Sequence, residues 1–302
     1  KESGIISFQV VARIWKIFNI KNVGNPGTLD TMAAGVLPIC VGQATRFAYI
    51  LTAGNKQYIA NFRMGKSYDS FDTTGTVKKE SPLKPSRGEI DAALQSMVGE
   101  TELIVPAFSA KKIDGKRAYD LARKGELEDA GTALMHIKLI ELVSYDYPDG
   151  VFVVDCGKGT YVRSIINKLG EETAACAAMS GLIRSQNGPF HMSAARKLDD
   201  IAEAVNNGEN LLIPVQNVLD LPKFAINNKA AERILNGIAP KYNDYLQEPS
   251  AHADALCLIM DTSGKLLALG EFKGGTSPIR LSTVLHSYSH GLPSRQTLPG
   301  RC

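Results

Sequence analysis

The sequence predicts a mixed α/β protein, and three observations carry that prediction. Apolar residues recur at helical spacing in some segments and alternate strictly in others. Glycine- and proline-rich stretches punctuate the chain between them. The 302 residues are 44% hydrophobic and 22% charged, the proportions of a globular chain, so wholesale disorder is excluded. A chain this long holds about two ordinary domains.

The elements follow in order. A first helix is expected behind Ser7, read as its N-cap, with Phe8, Val11, Ile14, Trp15 and Phe18 repeating along it. Gly24-Asn25-Pro26-Gly27 suppresses both helix and strand and is read as a loop. Ala44, Phe47, Ala48 and Leu51 mark a short amphipathic helix. Tyr58, Ala60, Phe62 and Met64 alternate with Ile59, Asn61 and Arg63, which predicts a strand. Ser86-Arg87-Gly88-Glu89 is a capping-box pattern, followed by Ile90, Leu94, Met97 and Val98 as the helix face. Lys116 to Lys124 reads as a short basic helix stopped by Gly125. Val151 to Cys156 predicts a buried strand, Gly157-Lys158-Gly159 a turn, and Tyr161 to Leu169 a helix ending before Gly170. Asn228 and the run Ala230 to Leu235 predict a capped helix closed by Gly237. Leu256 to Met260 and Leu266 to Phe272 predict a hairpin. Two prolines bracket 214–222, the best domain boundary, so the expected division is 1–213, 214–285 and a tail. Residues 286–302 are Ser-, Gly- and Pro-rich and are expected to be disordered. No internal repeat is visible.

Charge is segregated on a chain whose net charge is only +3. Residues 1–66 carry eight basic groups against Glu2 and Asp30, and 111–124 carry six against Asp114 and Asp120. Residues 158–197 carry six against Glu171 and Glu172, whereas 126–157 is acidic by six charges. Such segments fit a basic face for a polyanion, or equally a set of solvated helix faces. No apolar run approaches the roughly 18 residues of a membrane span, and no basic-then-apolar leader opens the chain. Five cysteines without a CxxC pair suit a reducing compartment better than a disulfide scaffold or a zinc module. The expectation is a soluble, cytoplasmic protein without membrane or metal partners.

Few residues stand out as chemistry. Asp30 closes Gly27-Thr28-Leu29-Asp30, a setting that usually makes an N-cap or an Asx-turn. Against that, it is one of two acids among sixty-six residues, and an anion in a positive field suits a nucleophile or base. Gly157-Lys158-Gly159-Thr160 lacks the GxxxxGK[ST] spacing of a nucleotide triphosphate site. Arg163 lies in the first turn of its helix, where a cation opposes the helix dipole by a few tenths to about 1 kcal/mol. Either solvent screens it or an anion offsets it. Tyr58 reads first as core or edge filling. His286 and His290 have a metal-like spacing without a third ligand, so the spacing is ascribed to chance. Spacing alone leaves an α/β polyanion binder with one conspicuous aspartate.

Taken together, these segments resemble one family. Residues 23–38, VGNPGTLDTMAAGVLP, are similar to the G-H-x-G-T-L-D-P-x-A-x-G-x-L-P signature of bacterial TruB-type tRNA pseudouridine synthases. Four further blocks follow in the family's order: Lys56-Gln57-Tyr58, the Gly65-to-Asp72 stretch, 109–119, and 156–163, with Leu182 and Arg184 at an L-x-R. The resemblance covers about residues 1–200 well and 214–275 more loosely. It implies a mixed, largely antiparallel sheet with flanking helices, then a small β-rich PUA-like domain. It also implies that the T-loop uridine of tRNA (position 55) is flipped out and isomerised to pseudouridine, without cofactor or metal, by a monomer.

Position by position, the resemblance makes Asp30 the catalytic carboxylate, Tyr58 the residue stacked on the base, and Arg163 the partner of Asp30. Leu182 packs beside the uracil, and Asp69 and Lys158 line the site. Asn25 stands near the nucleotide, and Lys111, Lys112 and Lys116 meet the T-arm. The chain departs from the pattern where Asn25 replaces a histidine and Thr31 a proline. The opening Lys1-Glu2-Ser3-Gly4 replaces K-P-x-G without the strand that normally precedes it, so an N-terminal truncation is expected, with room for an organelle-targeting leader. Two rivals stay open: a tRNA-binding or folding protein that has lost catalysis, and a guide-RNA-dependent synthase acting on ribosomal RNA.

Overall fold

The computed structural model describes residues 1–109, 111–127, 129–247, 254–273 and 279–285, with Arg117 and Asp129 as backbone only. The expected tail 286–302 lies outside the described residues. Two compact units divide at Leu211 and Leu212, within a few residues of the proline-bracketed boundary.

Unit 1 opens with helix α1 (Ser7–Phe18) and the two-residue strands β1 (Val23–Gly24), β2 (Ala34–Gly35) and β3 (Cys40–Val41). A 3-10 turn over Gly42–Phe47 runs into α2 (Ala48–Thr52), and β4 (Lys56–Met64) follows. Next come β5 (Lys66–Tyr68), β6 (Val77–Glu80), α3 (Arg87–Gln95) and β7 (Gly99–Pro106). The hairpin β8 (Lys112–Ile113) and β9 (Lys116–Arg117) leads into α4 (Ala118–Ala122). The long strands β10 (Asp129–Asp146) and β11 (Asp149–Cys156) precede α5 (Val162–Glu172), β12 (Ala177–Asn187), β13 (Phe190–His191) and α6 (Leu198–Asn206).

The central sheet runs β13-β12-β4-β11-β10-β7, with β2 paired to β12. Every pairing is antiparallel except β2 with β12. Strict alternation makes this sheet one-sided. Tyr58, Ala60, Phe62 and Met64 are buried on one face of β4, while Asn61 and Arg63 are exposed on the other. Ile90 and Leu94 of α3 and Ile165, Ile166 and Leu169 of α5 join the same core. A second cluster sets Val10, Ile14 and Phe18 of α1 against Ile201 and Val205 of α6.

Local details depart from the sequence expectations. The N-cap of α1 is Ile6, not Ser7; Ser7 lies inside the helix, buried, with its hydroxyl exchanging hydrogen bonds with the Leu29 backbone. Phe8 and Trp15 face outward, because Val10, Ile14 and Phe18 form the buried stripe. Only 118–122 of the expected basic helix is helical, since Lys112–Arg117 closes a hairpin first. α5 passes through Gly170 to Glu172.

Unit 2 carries β14 (Lys223–Ala225), α7 (Asn228–Leu235), β15 (Leu256–Met260), β16 (Leu266–Phe272) and β17 (Ile279–Val284). The four strands form one sheet in that order, parallel only at β14 with β15. The N-cap of α7 is Asn227, whose side chain accepts from the Ala230 N–H, one residue before the expected Asn228. The predicted hairpin is β15–β16, its turn closed by Asp261 accepting from Ser263 and Lys265 N–H groups.

Candidate active site

Asp30 lies on the loop that enters β2, and no helix starts there. Residues 31–32 form a turn, so the N-cap reading does not describe this aspartate. Its side chain is 41% exposed and meets Arg163 twice, through Nε to Oδ2 at 2.9 Å and Nη2 to Oδ1 at 3.2 Å. Arg163 itself is buried. Nη1 donates to the Ser70 carbonyl at 3.0 Å and Nη2 to the Phe108 carbonyl at 3.0 Å. Asp72 Oδ2 stands 3.6 Å from Nη1. The cation that opposes the α5 dipole thus has two carboxylates beside it. A bidentate fork of this kind fixes a carboxylate in plane and orientation.

The site therefore has a closed back and an open front. Behind the carboxylate, Arg163 is locked to backbone carbonyls of two other segments. In front, the Asp30 oxygens remain reachable by a ligand.

Tyr58 and Leu182 come from adjacent strands, β4 and β12, and both are buried in the core cluster that includes Leu29 and Ala33. Burial pushes the Tyr58 hydroxyl up to about 12, so it is a neutral phenol in the physiological range. Arg184, opposite Tyr58 in the β12–β4 register, donates from Nε to the Val36 carbonyl at 2.8 Å and from Nη1 to the Thr28 carbonyl at 3.3 Å.

The other predicted residues are placed less centrally. Asp69 accepts from the Thr76 N–H in the turn between β5 and β6. The carboxylate that meets Arg163 from this segment is Asp72, which also accepts from the Thr74 N–H. Lys158 is exposed on the turn before α5, and Asn25 is half-buried on the loop after β1. Lys111 turns inward, its ammonium donating to the Ala130 carbonyl at 2.8 Å. Lys112 and Lys116 are exposed on an open groove of about 840 Å³ that Arg123, Lys124 and Asp120 also line. Sequence reasoning missed Asp72, although it closes the eight-residue block that begins at Gly65. It also left Arg184 without a role.

Comparison with known proteins decides the family. Residues 15–162 match the TruB family pseudouridylate synthase (N terminal domain). The tRNA pseudouridine synthase B of Clostridium acetobutylicum is 35% identical over 238 residues, 79% of this chain and 82% of the relative. The chain belongs to the TruB pseudouridine synthase family. A second TruB relative, tRNA pseudouridine synthase B of Geobacillus kaustophilus, is 35% identical over 259 residues, 82% of this chain and 91% of its own. The crystal structure of a Cbf5-Nop10-Gar1 complex superposes with a TM-score of 0.72 at 23% identity, covering 94% of this TruB-family chain and 82% of the other. At that identity the likeness shows the fold alone.

Proposed function

We propose that this chain isomerises the T-loop uridine of tRNA to pseudouridine, with Asp30 as the catalytic carboxylate. The observation that carries the reading is the Arg163–Asp30 fork: a carboxylate gripped from a buried arginine behind and open in front. The reaction breaks N1–C1′, turns the uracil, joins C5 to C1′, and transfers the C5 hydrogen to N1. It is balanced without a redox partner or group donor. Attack at C1′, attack on the base and removal of a sugar proton all begin from the same oriented anion.

The uridine reaches it by flipping out of its stack, which exposes both faces of the base. Tyr58 is the stacking partner, a contact worth about 1–3 kcal/mol per base. Leu182 packs against the uracil edge, and Asn25, Asp69 and Lys158 stand at the rim. The groove of Lys112 and Lys116 takes T-arm phosphates, and the small β-rich unit 2 is a PUA-like RNA-binding module. The protein works as a cytoplasmic monomer.

The test uses unmodified tRNA transcript, no guide RNA, and mapping of pseudouridine by position. Product at the T-loop uridine supports the reading over a guide-dependent synthase. Asp30→Asn keeps the shape but removes the charge, so it should abolish product while holding tRNA binding within about tenfold, roughly 1.4 kcal/mol. A second reading, a tRNA-binding protein without catalysis, is favoured by Asn25 and Thr31 standing where the family pattern has histidine and proline. Tight tRNA binding with no pseudouridine formed by the wild type would establish it.

A further inference from the structure

Arg184 is the largest fully buried side chain among the described residues, at 1% exposure. The carboxylates of the site, Asp30 and Asp72, are engaged by Arg163, and Arg184 has no carboxylate partner among the described residues. A guanidinium removed from water without a counter-charge is costly to bury. Its placement therefore needs a reason beyond filling the core.

The geometry supplies one. Thr28 and Val36 lie on either side of Asp30, and the carbonyl of each accepts from the same guanidinium. The Arg184 backbone adds a third tie, its carbonyl accepting from the Val36 N–H at 2.8 Å, while Ala34–Gly35 pairs in parallel with Ile183–Arg184. That pairing is close. Gly35 sits at φ +109, and a Cβ there would lie 2.3 Å from the Arg184 carbonyl oxygen. The fork has one end left over: Nη2 is buried with no hydrogen-bond partner. Arg184 is also the register partner of Tyr58 across β12 and β4, and its charge draws the phenol down against the upward push of burial.

We propose that Arg184 is a positioning residue: one rigid guanidinium ties both ends of the Asp30 loop and borders Tyr58, holding carboxylate and ring in one relation. This rests on the reading of Asp30 and Tyr58 given above. A planar guanidinium presents its donors in a fixed fork, so the directions of the groups it holds are set together; an ammonium on a flexible stem can reach carbonyls but does not fix their relative direction.

Two variants test it from opposite sides of the contact. Arg184→Lys keeps the charge and loses the span, and Gly35→Ala keeps the arginine and pushes the loop off β12. Each is assayed on tRNA transcript at a temperature where circular dichroism shows it folded. Misplacement of a reacting group by about 1 Å costs on the order of a hundredfold in rate, so kcat should fall by about that factor with KM within about threefold. A purely structural role would lower Tm and leave kcat per folded molecule unchanged. Retention of kcat within about twofold in both variants overturns the proposal. So does failure of both to fold, which would make Arg184 a structural residue only. Failure of the catalytic reading itself would show separately, as turnover surviving in Asp30→Asn.

Discussion

Arg163 donates hydrogen bonds to Asp30 and to the Ser70 and Phe108 carbonyls, with its Nε 2.9 Å from the second Asp30 oxygen and its Nη1 3.6 Å from Asp72. The side chain is buried at 5% exposure and Asp72 at 7%, so their charges are felt at low dielectric. Arg163→Lys preserves the cation but reaches fewer acceptors, and it releases Asp30 from its plane. Turnover should fall by about a hundredfold, measured in single-turnover assays, with tRNA affinity little changed. Full activity in that variant would mean that the fork does not orient the carboxylate.

At the scale of elements, glycine and capping residues carry consequences that composition hides. Gly170 reads as a helix stop, yet α5 continues past it, because the absence of a side chain lets the helix touch the chain entering β12. A Cβ there would lie 2.4 Å from the Ala177 nitrogen and 2.8 Å from the Cys176 carbonyl carbon. Both are backbone atoms and cannot rotate away. Gly170→Ala should destabilise unit 1 by about 1–3 kcal/mol, seen as a lower Tm; an unchanged melt would show that helix and strand can separate freely.

In unit 2, Asp244 joins the end of α7 to a 3-10 turn. Burial alone would raise its carboxyl, but hydrogen bonds from Arg233 and the Lys241 N–H outweigh burial and hold it below the usual carboxylate range. A depressed folded-state pKa adds stability above the unfolded value, about 3.9, and that contribution is lost as pH falls through the folded value. Asp244→Asn should therefore cost about 1 kcal/mol at pH 7, Arg233 being part-exposed and screened. The gap between variant and wild type in urea unfolding should close in acid. A gap that stayed constant as pH fell from neutral through the carboxylate range would contradict this assignment.

For the whole molecule, the segregated charge becomes a test of RNA contact. Lys112 and Lys116 line the exposed groove, whereas Lys111 is tied to the Ala130 carbonyl. Lys112→Ala with Lys116→Ala should lower the slope of log affinity against log salt by about 1–2, the number of phosphates released. Lys111→Ala should act on stability first and on that slope least. An unchanged slope in the double variant would make the groove a solvated face. No helix among the described residues is long and apolar enough to cross a membrane.

Short-range physics made part of this chain legible before any tertiary contact was known. Alternation in β4, the Ser86 capping box, the β15–β16 hairpin and the ordered motif blocks each need only a few consecutive residues to be read. Arg163 could be flagged as a cation in want of an anion for the same reason, since a helix dipole is local. Tertiary structure alone decided which side of α1 faces the core, because Val10 and Trp15 are both apolar and only what packs on the helix, α6 together with Val23, Ile39 and Val41, chooses between them. It alone brought Asp72 to Arg163 and left Asp69, three residues earlier, holding the Thr76 N–H. Arg184 shows the limit most directly. Its partners lie near residue 30, some 150 positions away, and no spacing rule relates them; only the pairing of β2 with β12 does.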